Sequence, residues 1–389
     1  METLTPADER EAAEMVRTTR APFDIVGGAT RCFGRPQRAG ARLSTAKLGG
    51  VILHEAAEMT LRAGAGARMA ELEARLAAAG LALPFEPMDP RPLFGTRGEP
   101  TVGGLVATAL AGPRRLSAGG VRDNTLGVRI VNGRGEVLVA GERTTENATD
   151  RDLVKITCGA LGALGLVTEA TFKVIPRPRA EATVVIRRLD DAAAVAAMTR
   201  ALQSPHGVSG AATIHAGMGR EFPRTLLRVE GCEASVAQRA ERLIARLAEF
   251  GAKHSLTGED SQRMWRAIRD VAFLAEPAER AVWRASLKAP EAPAALAALG
   301  PLARASLMDL GGGLVWFSTD PTPDAAAAAR AALGRFACRV ELIRADAALR
   351  ANVAVFPPLT QALARRARAV KQSFDPRGLV NSGRMYADL

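Results

Sequence analysis

Several residue types and sequence features are scarce in this 389-residue chain. It has four cysteines, which are far apart and form no CxxC pair: Cys32, Cys158, Cys232 and Cys338. Their spacing argues against a structural zinc site or an iron–sulfur cluster held by this chain, and it is typical of reduced, mostly buried thiols in a cytosolic protein. The sequence also has no uncharged apolar stretch of about 18 residues and no export signal, so we expect no membrane-spanning helix.

Aromatic residues make up only 4% of the chain, which leaves few rings for the stacking of nucleic-acid bases. The formal net charge is +11, but the arginines are spread through predicted helices opposite acidic residues and form no long basic run. We therefore expect no nucleic-acid binding. The charge favours an acidic substrate, an anionic membrane face or an acidic partner subunit. The four histidines are isolated, so we expect no metal site.

The order of apolar patterns predicts two domains and a returning C-terminal segment. Residues 1–178 alternate short strands with helices, and Pro176-Arg-Pro178 marks the first boundary. Residues 179–345 repeat a strand–helix–strand–strand–helix order, which predicts a cap or substrate domain with an antiparallel sheet and helices on one face. Residues 346–389 contain an Arg-rich amphipathic helix over 359–371 and are expected to return to the first domain. The predicted fold class is α+β.

Glycine-rich turns stand out in the first domain. The residues Gly27-Gly28-Ala29-Thr30-Arg31 follow a predicted strand, and Thr101-Val102-Gly103-Gly104 open an Ala-rich helix predicted to end at Gly112-Pro113. A missing Cβ lets backbone N–H groups close on a bulky anion. A further turn, 117–120, leads into residues 121–123, and glycines recur every third position over 159–165. Each motif alone is weak, and a simple turn without a ligand explains it equally well.

Seven segments that keep their order and spacing resemble the GlcE-type subunits of glycolate oxidase: GGATR, TVGG, AGPRR, GGVRD, LGVRIVNGRGE, CGALGALGLVTEATFKVIPRP and FDPRGLVNSGRMY. These are flavoproteins of the vanillyl-alcohol-oxidase-like family. The resemblance covers almost the whole chain. It implies a two-subdomain PCMH-type FAD-binding domain, non-covalently bound FAD, and a flavin ring that faces the antiparallel-sheet cap domain.

By position, the resemblance also implies three groups of cofactor contacts. The group at the pyrophosphate comprises Gly27, Gly28, Ala29, Thr30, Arg31, Thr101, Gly103 and Gly104. The group beside the flavin comprises Gly120, Val121, Arg122 and Asp123. The group on the adenine and ribityl side comprises Gly159, Gly162, Gly165 and Val167.

Three positions depart from the family pattern. Ala29 stands where relatives usually carry a third glycine, a change that is tolerable if φ is negative there. Glu146 replaces a usual lysine, and Asp150-Arg151 replace a usual Gly-Tyr pair, which reverses the local charge beside the expected cofactor. The C-terminal Asn-Pro-Gly has become Asn381-Ser382-Gly383.

Oxidation of a 2-hydroxy acid by a flavin requires a cation for the carboxylate and a base for the hydroxyl proton. Arginine is the natural partner of a carboxylate, and Arg284 and Arg384 are the candidate catalytic residues, although each could equally be a surface or interface arginine.

Three functions stay open from the sequence. The first is an FAD-binding subunit of glycolate oxidase, beside a second flavoprotein subunit and an iron–sulfur subunit. The second is a free-standing FAD-linked oxidase or dehydrogenase of another small alcohol. The third is a non-catalytic scaffold with weak or no FAD, which the departures over 146–151 allow. The expected location is the cytoplasm, with peripheral attachment at most to the inner face of the cytoplasmic membrane.

Overall fold

The structure, a computed structural model, describes residues 2–37, 40–55, 57–141, 148–217 and 221–389. Glu146, one of the departures noted above, lies outside these residues, and so do the side chains of Asp150 and Arg151.

The first part of the chain contains ten strands and seven helices within the described residues. The strands are β1 (Glu2–Leu4), β2 (Phe23–Val26), β3 (Ala41–Ser44), β4 (Val51–Glu55), β5 (Thr60–Gly64), β6 (Leu81–Ala82), β7 (Thr125–Asn132), β8 (Val137–Ala140), β9 (Gly165–Lys173) and β10 (Ile175–Pro176). The helices are α1 (Glu9–Thr18), α2 (Met69–Ala78), α3 (Arg91–Phe94), α4 (Val102–Thr108), α5 (Arg115–Ala118), α6 (Val121–Asn124) and α7 (Ala148–Thr157).

Two sheets organise this part. A parallel sheet has the order β1-β3-β2, and an antiparallel sheet has the order β4-β5-β9-β7-β8; β6 and β10 form a separate pair. Helix α2 buries Met69, Leu72 and Leu76, which lie three or four residues apart and therefore on one face. They share a core with the buried residues Val102 and Leu105 of α4. The first turn of α4 is thereby anchored in the body of the domain.

The second part contains a single large sheet. Its strands are β11 (Ala180–Arg187), β12 (Val208–Ile214), β13 (Arg224–Gly231), β14 (His254–Thr257), β15 (Ala281–Ser286), β16 (Ala305–Asp309), β17 (Leu314–Thr319) and β18 (Arg339–Arg344). Its helices are α8 (Asp191–Leu202), α9 (Glu233–Arg246), α10 (Gly258–Arg269), α11 (Ala292–Leu299) and α12 (Pro323–Leu333). All pairings are antiparallel, in the order β14-β11-β13-β12-β16-β17-β15-β18.

That strand order is symmetrical about the centre of the sheet. Strands β12, β13 and β11 on one side correspond to β16, β17 and β15 on the other. The repeated unit predicted from the sequence thus forms one continuous sheet. Helix α8 covers one face, where Met198 contacts Thr213. Helix α10 lies on the opposite face, because its Trp265 donates a hydrogen bond to Thr183 and packs against Gly210. Strand β14, a short edge strand, was not predicted.

The last residues contain α13 (Ala347–Asn352) and α14 (Gln361–Phe374) and then contact the first part of the chain. Val380 pairs with Phe23 in a β-bridge. The Asp375 carboxylate accepts the backbone N–H groups of Leu379 and Val380, and it bonds Lys371 at 2.8 Å. The domain limits at 178 and 345 stay a prediction.

Two expectations were wrong. Helix α4 ends at Thr108 and does not extend to Gly112-Pro113, because Ala109 adopts a left-handed φ of 49° and closes the helix. The cysteines are not mostly buried: Cys158 is buried, whereas Cys32 and Cys232 are exposed. In the described part of the chain, no helix combines the length and apolar character needed to span a bilayer.

Candidate functional site

A cleft of about 290 Å³ lies between the end of β2, the start of α4 and the loop before β9. The C-terminal segment and α13 complete its wall, with Asn381, Arg384 and Arg350. The cleft therefore joins segments that lie more than 350 residues apart in the sequence.

The first glycine turn forms one wall, and its glycines have no room for a side chain. A Cβ on Gly27 would lie 2.4 Å from Oγ1 of Thr101, and a Cβ on Gly28 would lie 1.6 Å from the carbonyl oxygen of Glu99. The turn therefore packs directly on the residues that precede α4. Ala29, which follows, has a φ of 52°, so the condition of a negative φ at this position is not met.

The start of α4 forms the second wall. Thr101 caps the helix, since its Oγ1 accepts the N–H of Gly104 at 3.3 Å. A Cβ on Gly103 would lie 3.0 Å from the Cβ of Ala65, so Gly103 allows the helix to approach the core. A Cβ on Gly104 would instead meet Nη1 of Arg31 at 3.1 Å. Gly104 thus leaves space for the Arg31 guanidinium.

Arg31 is a residue of the cleft whose hydrogen bonding is incomplete. Its Nη2 donates to the carbonyl of Met88 at 3.2 Å, whereas its buried Nε has no hydrogen-bond partner among the described residues. Desolvation lowers the pKa of Arg31 to about 10, against the attraction of Asp89, so the side chain is still a cation at neutral pH. A buried cation with an unused donor, beside the glycines of two turns, fits the pyrophosphate of a dinucleotide.

The third wall is the loop 159–165, which is held by Asn381. Its Nδ2 donates to the carbonyl of Leu161 at 2.7 Å, and its Oδ1 accepts the N–H of Ile25 at 2.8 Å. Asn381 was noted only as part of a family motif and was not predicted as a site residue. A lone asparagine near the C-terminus carries no sequence signal for these two contacts.

The structure brings most of the predicted residues together. The predicted residues that line the cleft are Gly27, Gly28, Ala29, Thr30, Arg31, Thr101, Gly103, Gly104, Gly162, Gly165, Val167 and Arg384. Those not among its lining residues are Gly120, Val121, Arg122, Asp123, Gly159 and Arg284.

The residues outside the cleft have structural contacts. Asp123 accepts the N–H of Gly120 at 2.7 Å, and Val121 is buried in the core shared with α4. Gly159 donates its N–H to the carbonyl of Val106 in α4 at 2.9 Å. Val121 and Gly159 thus pack on or bond to α4, and the contact of all these residues with a cofactor stays a prediction.

Both candidate catalytic arginines already have carboxylate partners. On the large sheet, Nε of Arg284 donates to Glu341 at 2.9 Å, and Glu341 is only 3% exposed. In the cleft, Arg384 donates from Nη1 to Asp24 and from Nε to the carbonyl of Phe33, both at 3.0 Å. Their catalytic role stays a prediction. Arg384 is the better placed of the two.

A second charged cluster, unexpected from the sequence, joins the two parts of the chain. Arg228, 1% exposed, donates to Glu86 at 2.7 Å and 3.0 Å. Arg114 donates its backbone N–H to Glu86 at 2.7 Å and its Nη2 to Glu230 at 2.7 Å. Burial raises the pKa of Glu86, but the charge and hydrogen bonds of Arg228 outweigh it and lower the pKa to about 2. The cluster therefore holds the large sheet on the first domain by paired charges.

Comparisons with known proteins show similarity to FAD-binding proteins. A family model described as an FAD binding domain matches residues 3–141. The chain is 31% identical over 384 residues to the glycolate oxidase subunit GlcE of Escherichia coli (strain K12), and the match covers 97% of each chain. It is 28% identical to the D-lactate dehydrogenase of Anaerostipes hadrus over 44% of this chain and 33% of that protein.

Among solved structures, an alkyldihydroxyacetonephosphate synthase is similar in fold, with a TM-score of 0.71. The match covers 98% of this chain and 76% of that chain at 16% identity, which shows the fold alone. The predicted α+β fold class, with an FAD-binding part and a large antiparallel sheet, is confirmed.

Proposed function

The chain belongs to the GlcE family of glycolate oxidase subunits, and from this premise we propose that it binds FAD non-covalently in the cleft and takes part in the oxidation of glycolate to glyoxylate. The observation that carries this proposal is the setting of Arg31: a desolvated cation with an unused donor faces two glycine turns in the matched FAD-binding region. FAD, when bound, would supply the acceptor for the hydride of a 2-hydroxy acid.

Within this proposal, Arg31 neutralises the pyrophosphate, and backbone N–H groups of the Gly27–Arg31 turn donate to it. The N–H groups of Val102, Gly103 and Gly104 are bonded within the protein, so the start of α4 contributes space for the cofactor. Asn381 fixes the loop 159–165 against the other end of the cofactor. Arg384, bonded to Asp24 and to the carbonyl of Phe33, would contact the substrate carboxylate with its remaining N–H groups.

We further propose that the isolated chain oxidises glycolate slowly or not at all. Among the described residues that line the cleft, none is a histidine. The cleft therefore lacks the side chain that most often acts as the base for a hydroxyl proton near neutral pH. The chain also has too few clustered cysteines for an iron–sulfur relay. Partner subunits, a second flavoprotein and an iron–sulfur protein, would supply both.

The proposed location is the cytoplasm, which four free cysteines support. Helix α14 offers a surface for a partner or for peripheral contact with an anionic membrane. It has no buried residue, and its exposed Leu363 and Val370 lie three and four residues from Arg366, on the same face of the helix.

The test has two measurements. The first is a titration of the apoprotein with FAD, monitored by flavin fluorescence, in which saturable binding is expected. The second is dye-coupled glycolate oxidation by the chain alone and with both partner subunits. Turnover by the lone chain equal to that of the mixture would favour a free-standing oxidase, and a chain that binds no FAD would favour a scaffold.

A further inference from the structure

Arg31 depends on one backbone carbonyl for its position. Its only described protein hydrogen bond runs from Nη2 to the carbonyl of Met88, at 3.2 Å. Met88 is 3% exposed and packs in the core of the large sheet, although it precedes α4 in the sequence. The position of the Arg31 guanidinium is therefore set by the segment Pro87–Pro90, which runs between the cleft and the second part of the chain.

That segment is held from the other side by Asp270, at the end of α10. Oδ1 of Asp270 accepts the backbone N–H of Asp89 at 2.8 Å, one residue after the carbonyl that holds Arg31. The Asp89 side chain in turn bonds Arg91, which reaches Glu99 at 3.1 Å. Both contacts hold the segment at Asp89.

Asp270 itself has little freedom to move. Arg269 donates to both of its carboxylate oxygens, at 2.7 Å and 2.8 Å, and the stem of Arg269 packs on Gly112, where a Cβ would lie only 2.7 Å away. The next residue, Val271, has a φ of 52°, which is a genuine outlier for a β-branched residue. Such strain persists only where the surroundings impose it.

We propose that Asp270 is a positioning residue for FAD: it holds Asp89, and through the adjacent Met88 carbonyl it holds Arg31 at the pyrophosphate. This inference rests on the proposed function, since it assumes that FAD binds in the cleft. Asp270 does not touch the cofactor. The large sheet would in this way control the affinity of a site formed by the first part of the chain.

A double-mutant cycle on FAD affinity tests the inference. The dissociation constant is measured by flavin fluorescence on wild-type apoprotein, Arg31→Ala, Asp270→Ala and the double variant. We expect Arg31→Ala to weaken binding about tenfold or more, because a charged hydrogen-bond partner is lost. Asp270→Ala should weaken it about fivefold alone but less than about twofold in the Arg31→Ala background.

Two further variants distinguish an effect on the position of Arg31 from a general loss of structure. Asp270→Asn keeps an oxygen that can accept the Asp89 N–H, so its affinity should stay within about threefold of wild type. Glu341→Ala breaks an ion pair between two strands of the large sheet, and Glu341 makes no described hydrogen bond to residues 87–90, so this variant should leave the affinity unchanged. If Asp270→Ala does not fold, the same cycle is run with Arg269→Ala, which releases the carboxylate without removing it.

Equal weakening by Asp270→Ala in both backgrounds, or none in either, would overturn the inference while FAD binding by the wild type still supports the proposed function. A wild-type chain that fails to bind FAD would overturn the proposed function and this inference with it.

Discussion

Replacement of Gly104 by valine separates cofactor binding from folding. A Cβ at this position would lie 3.1 Å from Nη1 of Arg31 and 3.4 Å from Oγ1 of Thr101, so its neighbours are side-chain atoms and not backbone. The Arg31 side chain can give way, and the apoprotein should keep its fold. The same contact pushes the guanidinium from the position where it would meet the pyrophosphate, and the two γ-carbons of valine occupy the space of the cofactor.

The expected loss can be scaled from the interactions removed. A hydrogen bond to a charged group contributes about 1.5–3 kcal/mol. Loss of the Arg31 contact alone therefore corresponds to a roughly 10- to 150-fold larger dissociation constant for FAD. Because the valine side chain also occupies space that the cofactor needs, the Gly104→Val variant should purify without flavin. Far-UV circular dichroism of the apoprotein should match the wild type.

Flavin content and an FAD titration give the result, with Gly334→Val as the matched control. Gly334 ends α12 with a φ of −63°, which valine can adopt, and it is not among the residues that line the cleft. Normal flavin content in Gly104→Val would show that α4 does not face the cofactor. Loss of flavin in the control as well would show a general folding effect.

Three other predictions follow from single sites. Burial raises the pKa of Asp309 to about 7 from 3.8, so between these pH values the folded state binds a proton that the unfolded state releases, and the stability falls as the pH rises. Asp309→Asn should remove this pH dependence of the melting temperature and stabilise the protein at pH 8 by up to about 4 kcal/mol. An unchanged pH dependence would refute the assignment. Ala29→Gly should relieve the left-handed φ of 52° and raise the melting temperature slightly, whereas Ala21→Gly, in an exposed turn, should not. Acid precipitation of the holoprotein should leave FAD in the supernatant; flavin in the pellet would indicate a covalent bond, for which Cys32 in the cleft is the nearest nucleophile.

Local patterns in the sequence were sufficient for most of the architecture. The alternation of apolar residues predicted the repeated unit of the large sheet and all of its strands except β14, because the periods of 2 and 3.6 residues report directly on burial. The glycine turns at 27 and 101 were also visible, since close backbone approach excludes a side chain. Helix α4 was predicted too long because its end depends on the left-handed φ of Ala109, a residue with high helix propensity.

Only the tertiary structure decided which distant groups meet. Glu86 and Arg228 are 142 residues apart, and Asn381 and Ile25 are 356 apart, so no spacing in the sequence could have paired them. The same holds for Asp270 and Asp89. Short-range sequence patterns indicate which face of its own helix or strand a residue lies on. The partner of a buried charge, in contrast, depends on how whole helices and strands pack together. For this reason the cofactor turns could be found from the sequence, but the contacts that hold Arg31 in place could not.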